Sequence, residues 1–144
     1  MSFQSQEAPR RQIDASKSVT LALPIISATV NTNIIDLECV NTFPSLEQVN
    51  FVASTASATA NSGNAAAINC IMQHCADTNT ANFANVSGQA LLSIASNAAV
   101  YPATNLVFAV PPTGLLRYVR LQVAQAAGGS NAANTSNITF SLAF

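Results

Sequence analysis

Residues 138–144 read Ile-Thr-Phe-Ser-Leu-Ala-Phe, with Ile138, Phe140, Leu142 and Phe144 alternating strictly with Thr139, Ser141 and Ala143. A period of two is the signature of a β-strand whose large residues share one face of a sheet. The same period governs the stretch upstream. There Leu115, Arg117, Val119, Leu121 and Val123 fall on one face, and Leu116, Tyr118, Arg120, Gln122 and Ala124 on the other. Pro111-Pro112-Thr113-Gly114 breaks the chain before this strand, and a loop of small residues from Gly128 to Thr135 separates the two strands. On this alternation Phe144 is expected in the core or at an interface.

Working back towards the N-terminus, the strand signals are shorter. Val19, Leu21 and Leu23 alternate with Thr20 and Ala22 up to Pro24, and Ile34 to Leu37 forms a second apolar piece after the Asn31-Thr32-Asn33 turn. Leu46, Val49, Phe51 and Val52 read as a strand with a bulge. Ala67 to Ala76 places Ile68, Cys70 and Met72 on one face. Leu91 to Ala95 and Leu106 to Val110 add two more strands, with Phe83 and Val86 as anchors between. From Ser54 to Ala67 alanine favours a helix, but the interleaved Ser, Thr and Asn and the Asn61-Ser62-Gly63-Asn64 turn signal favour a strand that runs into a hairpin loop. The sum is an all-β chain, a jelly-roll β-sandwich of about eight strands, with no βαβ rhythm. Residues 1–16 are polar, mixed in charge and interrupted by Pro9, and read as a flexible N-terminal arm. Residues 17–144 form a single jelly-roll domain.

Composition narrows the function. The 144 residues include only 8% Asp, Glu, Lys and Arg, against about 25% in an ordinary soluble domain. Ala, Asn, Ser and Thr supply nearly half of the chain, and no charged residue occurs between Thr78 and Leu116 or after Leu121. Such a surface lacks the mutual repulsion that keeps monomers apart, which suits a subunit packed against neighbours. A net charge of −1, with Arg10, Arg11 and Lys17 interleaved among Glu7 and Asp14, gives no nucleic-acid arm. No apolar run approaches the ~20 residues of a membrane span, and no basic leader precedes an apolar segment. No partner nucleic acid or membrane is therefore expected.

Catalytic and metal chemistry find little support. Cys39, Cys70 and Cys75 are odd in number and read as buried thiols acting as small hydrophobes. In a strand Cys70 and His74 would lie about 13 Å apart on one face, with Cys75 on the other, a poor start for zinc or for a Cys–His pair. Asp36 and Glu38 could share a face about 7 Å apart, but as a hydrolytic carboxylate pair they are less natural than as solvated loop residues. No enzyme, no cofactor and no metal is expected. Among the basic residues, Arg117 is expected to be buried and paired, because its face is otherwise Leu115, Val119 and Leu121. Arg120 can pair inside an interface or reach solvent past the sheet edge.

The run from Pro111 to Leu121, the loop of small residues and the closing strand Ile138 to Phe144 resemble the capsid cement or decoration proteins of tailed phages. Thr32-Asn33-Ile34-Ile35-Asp36-Leu37 resembles that family's early strand. The resemblance implies a small jelly roll, a homotrimer, and attachment to the outer face of an icosahedral head in contact with the major capsid protein. It implies a location in the virion and a role in stabilising contacts between capsomers. Arg10, Arg11, Arg117, Tyr118, Arg120 and Phe144 are then the interface or structural candidates, the two N-terminal arginines reaching carboxylates of a neighbour or of the shell. The alternatives are another virion subunit (a jelly-roll coat, tail or fibre component) or a carbohydrate-binding β-sandwich. The second is weakened by the absence of Trp.

Overall fold

The structure, a computed structural model, describes residues 13–24, 28–46, 49–59, 67–87, 92–94, 100–125 and 137–144. Among the described residues twelve strands run in chain order. They are β1 (Ile13–Ala22), β2 (Thr29–Asn31), β3 (Ile35–Asp36), β4 (Asn50–Thr55), β5 (Ala58–Thr59) and β6 (Ile68–Cys75). Then follow β7 (Ala84–Asn85), β8 (Leu92–Ile94), β9 (Val100–Tyr101), β10 (Thr104–Ala109), β11 (Tyr118–Gln125) and β12 (Asn137–Ala143). The only helical element among the described residues is one 3-10 turn at Thr80–Asn82, started by the Asn79 side chain accepting from the Ala81 N–H.

One sheet has the order β1-β12-β4-β10. In the other, β11 lies between β6 and the successive short strands β2 and β3, and β6 carries β7 and β8 on its far side. All pairings are antiparallel. If β2 with β3, and β7 with β8, each count as one position, eight positions remain outside the small β5–β9 pair. Their order is 1-8-3-6 in the first sheet and 2-7-4-5 in the second, the double-sheet connectivity of a jelly roll. The chain is thus an all-β jelly-roll sandwich.

The alternation read from the sequence builds the core. Ile138, Phe140 and Leu142 of β12, Phe51 and Ala53 of β4, and Phe108 of β10 face Val119, Leu121 and Val123 of β11 and Ile68, Cys70 and Met72 of β6, all buried. Phe140 is at the centre, stacked on Phe51 at 5.1 Å between ring centroids and edge-on to Phe108 at 6.2 Å. The break at residues 111–114 is a turn closed by the Gly114 N–H on the Pro111 carbonyl at 2.8 Å. Gly114 sits at φ +78°, and a Cβ there would meet the Phe43 carbonyl oxygen at 2.6 Å, so both its conformation and its space call for glycine.

Several expectations are corrected. Strand β1 starts at Ile13, so the sheet takes up residues 13–16 that were read as part of the arm. The rest of the arm, with Arg10 and Arg11, lies outside the described residues. In the segment 54–67 the strand continues as expected, with β5 at Ala58–Thr59, and the expected turn at Asn61-Ser62-Gly63-Asn64 falls outside the described residues. Of the two places expected for Phe144, the core is excluded, since it is 48% exposed. Its alternation runs one residue past the described sheet: Ala143 already pairs with Ile13 and with Asn50, the first residue of β4, so among the described residues no neighbouring strand covers Phe144.

Candidate functional site

The two arginines of β11 and its approach lie on the outer side of the second sheet, in two separate polar constructions. Arg117 precedes the strand, in a bend, and is not held in the sheet's alternation. Its Nε donates to Asp36 Oδ1 and its Nη2 to Asp36 Oδ2, each at 2.8 Å, a two-pronged contact that only a guanidinium can make. Register brings the two together, because Tyr118 pairs with Asp36 across β11 and β3.

Asp36 is also the hub of a wider clamp. Its Oδ1 accepts from the Glu38 N–H at 2.8 Å, and its backbone carbonyl accepts from Lys17 Nζ at 2.7 Å. Lys17 also pairs with Glu38 at 3.2 Å. Because Lys17 belongs to β1 and Asp36 to β3, this group ties the edges of the two sheets. The Arg117 contact, then the Glu38 N–H, holds the Asp36 carboxyl down to about 2, and raises the Arg117 guanidinium above its already high range. Glu38 takes φ 56°, a left-handed turn that leaves the strand and so ends the Asp36–Glu38 alternation. Both Asp36 oxygens take Arg117, and Glu38 pairs with Lys17.

Arg120 is the buried arginine, at 7% exposure. Its Nε donates to Gln73 Oε1 at 2.9 Å, and Gln73 Nε2 donates to Asn85 Oδ1 at 2.9 Å. The three residues are register partners on adjacent strands β11, β6 and β7, so the bonds form one row across the sheet. Phe83 closes the row from above, with the guanidinium carbon 4.3 Å from its ring centroid. Burial lowers the Arg120 pKa, and no carboxylate pairs with it among the described residues.

The outcomes differ between the two arginines. Arg117 is paired, as expected, but stays 42% exposed at its side chain, because it stands in the bend before β11 where no strand covers it. Arg120 carries the burial. Tyr118 is half-buried with the Arg117 guanidinium over its ring at 5.1 Å, so Arg117, Tyr118, Arg120 and Phe83 line one end of this outer face as two cation–aromatic pairs. Sequence reading did not find Gln73, Phe83 and Asn85 as partners of Arg120, nor Lys17 as a partner of Asp36. No spacing rule connects residues nineteen to forty-seven positions apart. Strand register brings Gln73 to Arg120 and Asn85 to Gln73, and the stacking of the two sheets brings Lys17 to Asp36.

The remaining candidates of chemical interest serve structure. His74 Nδ1 accepts from the Leu116 N–H at 3.2 Å, and burial lowers its pKa, which keeps it neutral as an acceptor. Cys70 is wholly buried and desolvation pushes its thiol up to about 12. Cys75 donates to Asp77 Oδ1 at 3.5 Å, and Asp77 is held low by Asn82 and the Asn79 N–H. No group of three or more His, Cys, Asp or Glu gathers among the described residues.

Charge is distributed unevenly along the sandwich. Asp36, Glu38, Asp77 and Arg117 all sit at the end where β11 begins and β6 finishes. At the opposite end β1, β4, β8 and β11 finish, and the sequence that joins them to the strands that follow, residues 23–28, 56–67, 95–103 and 126–136, most of it outside the described residues, contains no Asp, Glu, Lys, Arg or His. No family model matches the chain, and no curated protein matches it in sequence.

Proposed function

We propose that the chain is a non-enzymatic virion structural protein that binds the outer surface of a phage capsid as a homotrimer and stabilises contacts between capsomers. The observation that carries the reading is the absence of charge from the sequence that joins the strands at the end opposite the Arg117–Asp36 clamp. Interface cores are depleted of charge because each buried ion must shed its hydration. A surface without ionisable groups can be covered by neighbouring subunits at little desolvation cost. The charged end, with the Asp36–Arg117 clamp and the Arg120 row, then faces solvent and holds the sheets in register.

The jelly-roll order and the Pro111–Gly114 turn that precedes Arg117 and leads Tyr118 and Arg120 into β11 fit the resemblance to decoration proteins. Three modest contacts presented together on a trimer bind far more tightly than one, through effective concentration. Because little of the contact is ionic, attachment depends only weakly on salt. The test is re-binding of purified protein to particles stripped of it, at rising sodium chloride. Saturable binding in multiples of three that persists through ~0.5 M salt supports the reading, since at that ionic strength exposed charge pairs are screened within a few ångströms. Absence of binding overturns it.

A further inference from the structure

Strand β11 buries a cation that no carboxylate among the described residues neutralises. Arg120 is 7% exposed, and a guanidinium taken out of water is costly unless a counter-charge and hydrogen bonds replace the water. The side chain offers five N–H donors. Only Nε is spent, on Gln73 Oε1 at 2.9 Å. Neither Nη1 nor Nη2 has a hydrogen-bond partner among the described residues, yet neither nitrogen is sealed off from solvent.

The acids at this end of the sheet are engaged elsewhere. Both oxygens of Asp36 take Arg117, on the neighbouring row. Asp77 Oδ1 accepts from the Asn79 N–H and from Cys75, and its Oδ2 accepts from Asn82 Nδ2 at 3.0 Å. Cys75 lies within electrostatic reach of Arg120, but it keeps its proton to donate to Asp77 and brings no negative charge. The row on the other side, Asn31, Gln122 and Ile71, is neutral. Phe83 covers one face of the guanidinium, with its centroid 4.3 Å from the guanidinium carbon. Gln73 holds the Nε side, so what stays open is the edge formed by Nη1 and Nη2.

We propose that this open edge of Arg120 is a receptor for one carboxylate, whose two oxygens accept from Nη1 and Nη2 in parallel. Arg117 makes the same kind of fork with Asp36, through Nε and Nη2. Charge and shape select the occupant. One planar carboxylate matches one guanidinium approached in its own plane, whereas a phosphate dianion carries a charge more than the guanidinium balances. Gln73, itself held by Asn85, fixes the guanidinium before the ligand arrives, so little ordering is left to be done on binding. A free small carboxylate and an Asp or Glu side chain of another protein present the same two oxygens. The inference stands on the second sheet alone and does not depend on a capsid as partner.

The experiment compares melting temperatures at pH 7 in sodium acetate and in sodium chloride of equal concentration, for the parent, Arg120→Met and Arg117→Lys. Acetate at about 0.2 M is expected to raise the parent's melting temperature by about 3 °C over chloride. Arg117→Lys should keep that rise and Arg120→Met should lose it. No rise in the parent, or an equal rise in Arg120→Met, overturns the inference. Should Arg120→Met fail to fold, the parent is labelled with nitrogen-15 arginine and titrated with acetate. The Nε–H signal close to the Phe83 ring should then move saturably while that of Arg117 stays, and a stationary Arg120 signal overturns the inference. Repeating the titration with a capped neutral peptide bearing one glutamate, with its glutamine counterpart and with inorganic phosphate separates the sources. Tighter binding of the glutamate peptide, lost in the glutamine one, supports the receptor with a partner protein as its source. Tighter binding of acetate supports it with a free small carboxylate. Phosphate as the strongest ligand overturns the carboxylate assignment.

Discussion

Arg117 and Asp36 meet through two parallel hydrogen bonds of 2.8 Å, eighty-one positions apart in sequence and one register step from the Tyr118–Asp36 pair. Lys17, arriving from the other sheet, bonds the same aspartate's carbonyl. The contact is therefore a fastening between sheet edges, and its loss should appear in stability first.

Acid should loosen this fastening. The folded pKa of Asp36, about 2, lies below its ordinary value of 3.8, so the stability it contributes is complete above about pH 5 and is lost as pH falls from there towards 2. Asp14 and Asp77 are shifted in the same direction, so the parent's melting temperature should fall through that window. Asp36→Asn should melt lower than the parent at pH 7 and show a shallower fall with acid. Arg117→Lys should lower the neutral-pH melting temperature as well, because one ammonium cannot replace the fork. Thermal melts by circular dichroism from pH 7 to pH 2 read both effects. Identical slopes in parent and Asp36→Asn would contradict this account.

The Arg120 row makes a different prediction, at constant pH. Arg120→Lys removes the Nε donor and the flat stack on Phe83, and leaves Gln73 Oε1 short of a partner, at a cost of about 1–3 kcal/mol. Replacing both ends, Arg120→Met with Gln73→Leu, should cost less than the sum of the two single changes, because neither buried partner is then stranded. Urea unfolding of the four proteins measures the coupling.

Phe140 lies between Phe51 and Phe108 with no exposed surface. Phe140→Ala should destabilise the sandwich by about 3–5 kcal/mol, whereas Phe144→Ala, at an exposed position beyond the sheet, should change stability by less than about 0.5 kcal/mol. Chemical denaturation of both variants checks the contrast, which the alternation of residues 138–144 alone would not provide.

That contrast shows how far the sequence could be read. Periodicity identified the core faces of β6, β11 and β12 because burial on one side of a strand is a local property. It failed at Phe144, where the alternation outlasts the neighbouring strands, and at Arg117, where the bend before β11 releases the side chain from its face. The partners of both arginines were hidden for the same reason. Asp36, Gln73 and Asn85 come into reach through strand register, which depends on the whole jelly-roll order. Short strands such as β5 and β9 carry too few residues to show a period at all.

Thiol chemistry tests the burial of the cysteines. Cys70 is enclosed and its ionisation is suppressed, so it should resist an aromatic disulfide reagent in the native protein at pH 8 and react fully in denaturant. Cys39, which is only partly buried, should be labelled first. Mass spectrometry of peptides after timed labelling distinguishes them, and fast labelling of Cys70 in the folded state would contradict the assigned core.

The most direct test of the proposed function is electron microscopy of the parent virion, with this chain's subunits counted against capsomer positions. The account predicts trimers of jelly rolls seated on an outer symmetry axis between capsomers, their uncharged ends covered by neighbours and the Arg117–Asp36 ends towards solvent. Finding the chain as the continuous shell, in the tail, or absent from the particle would contradict it.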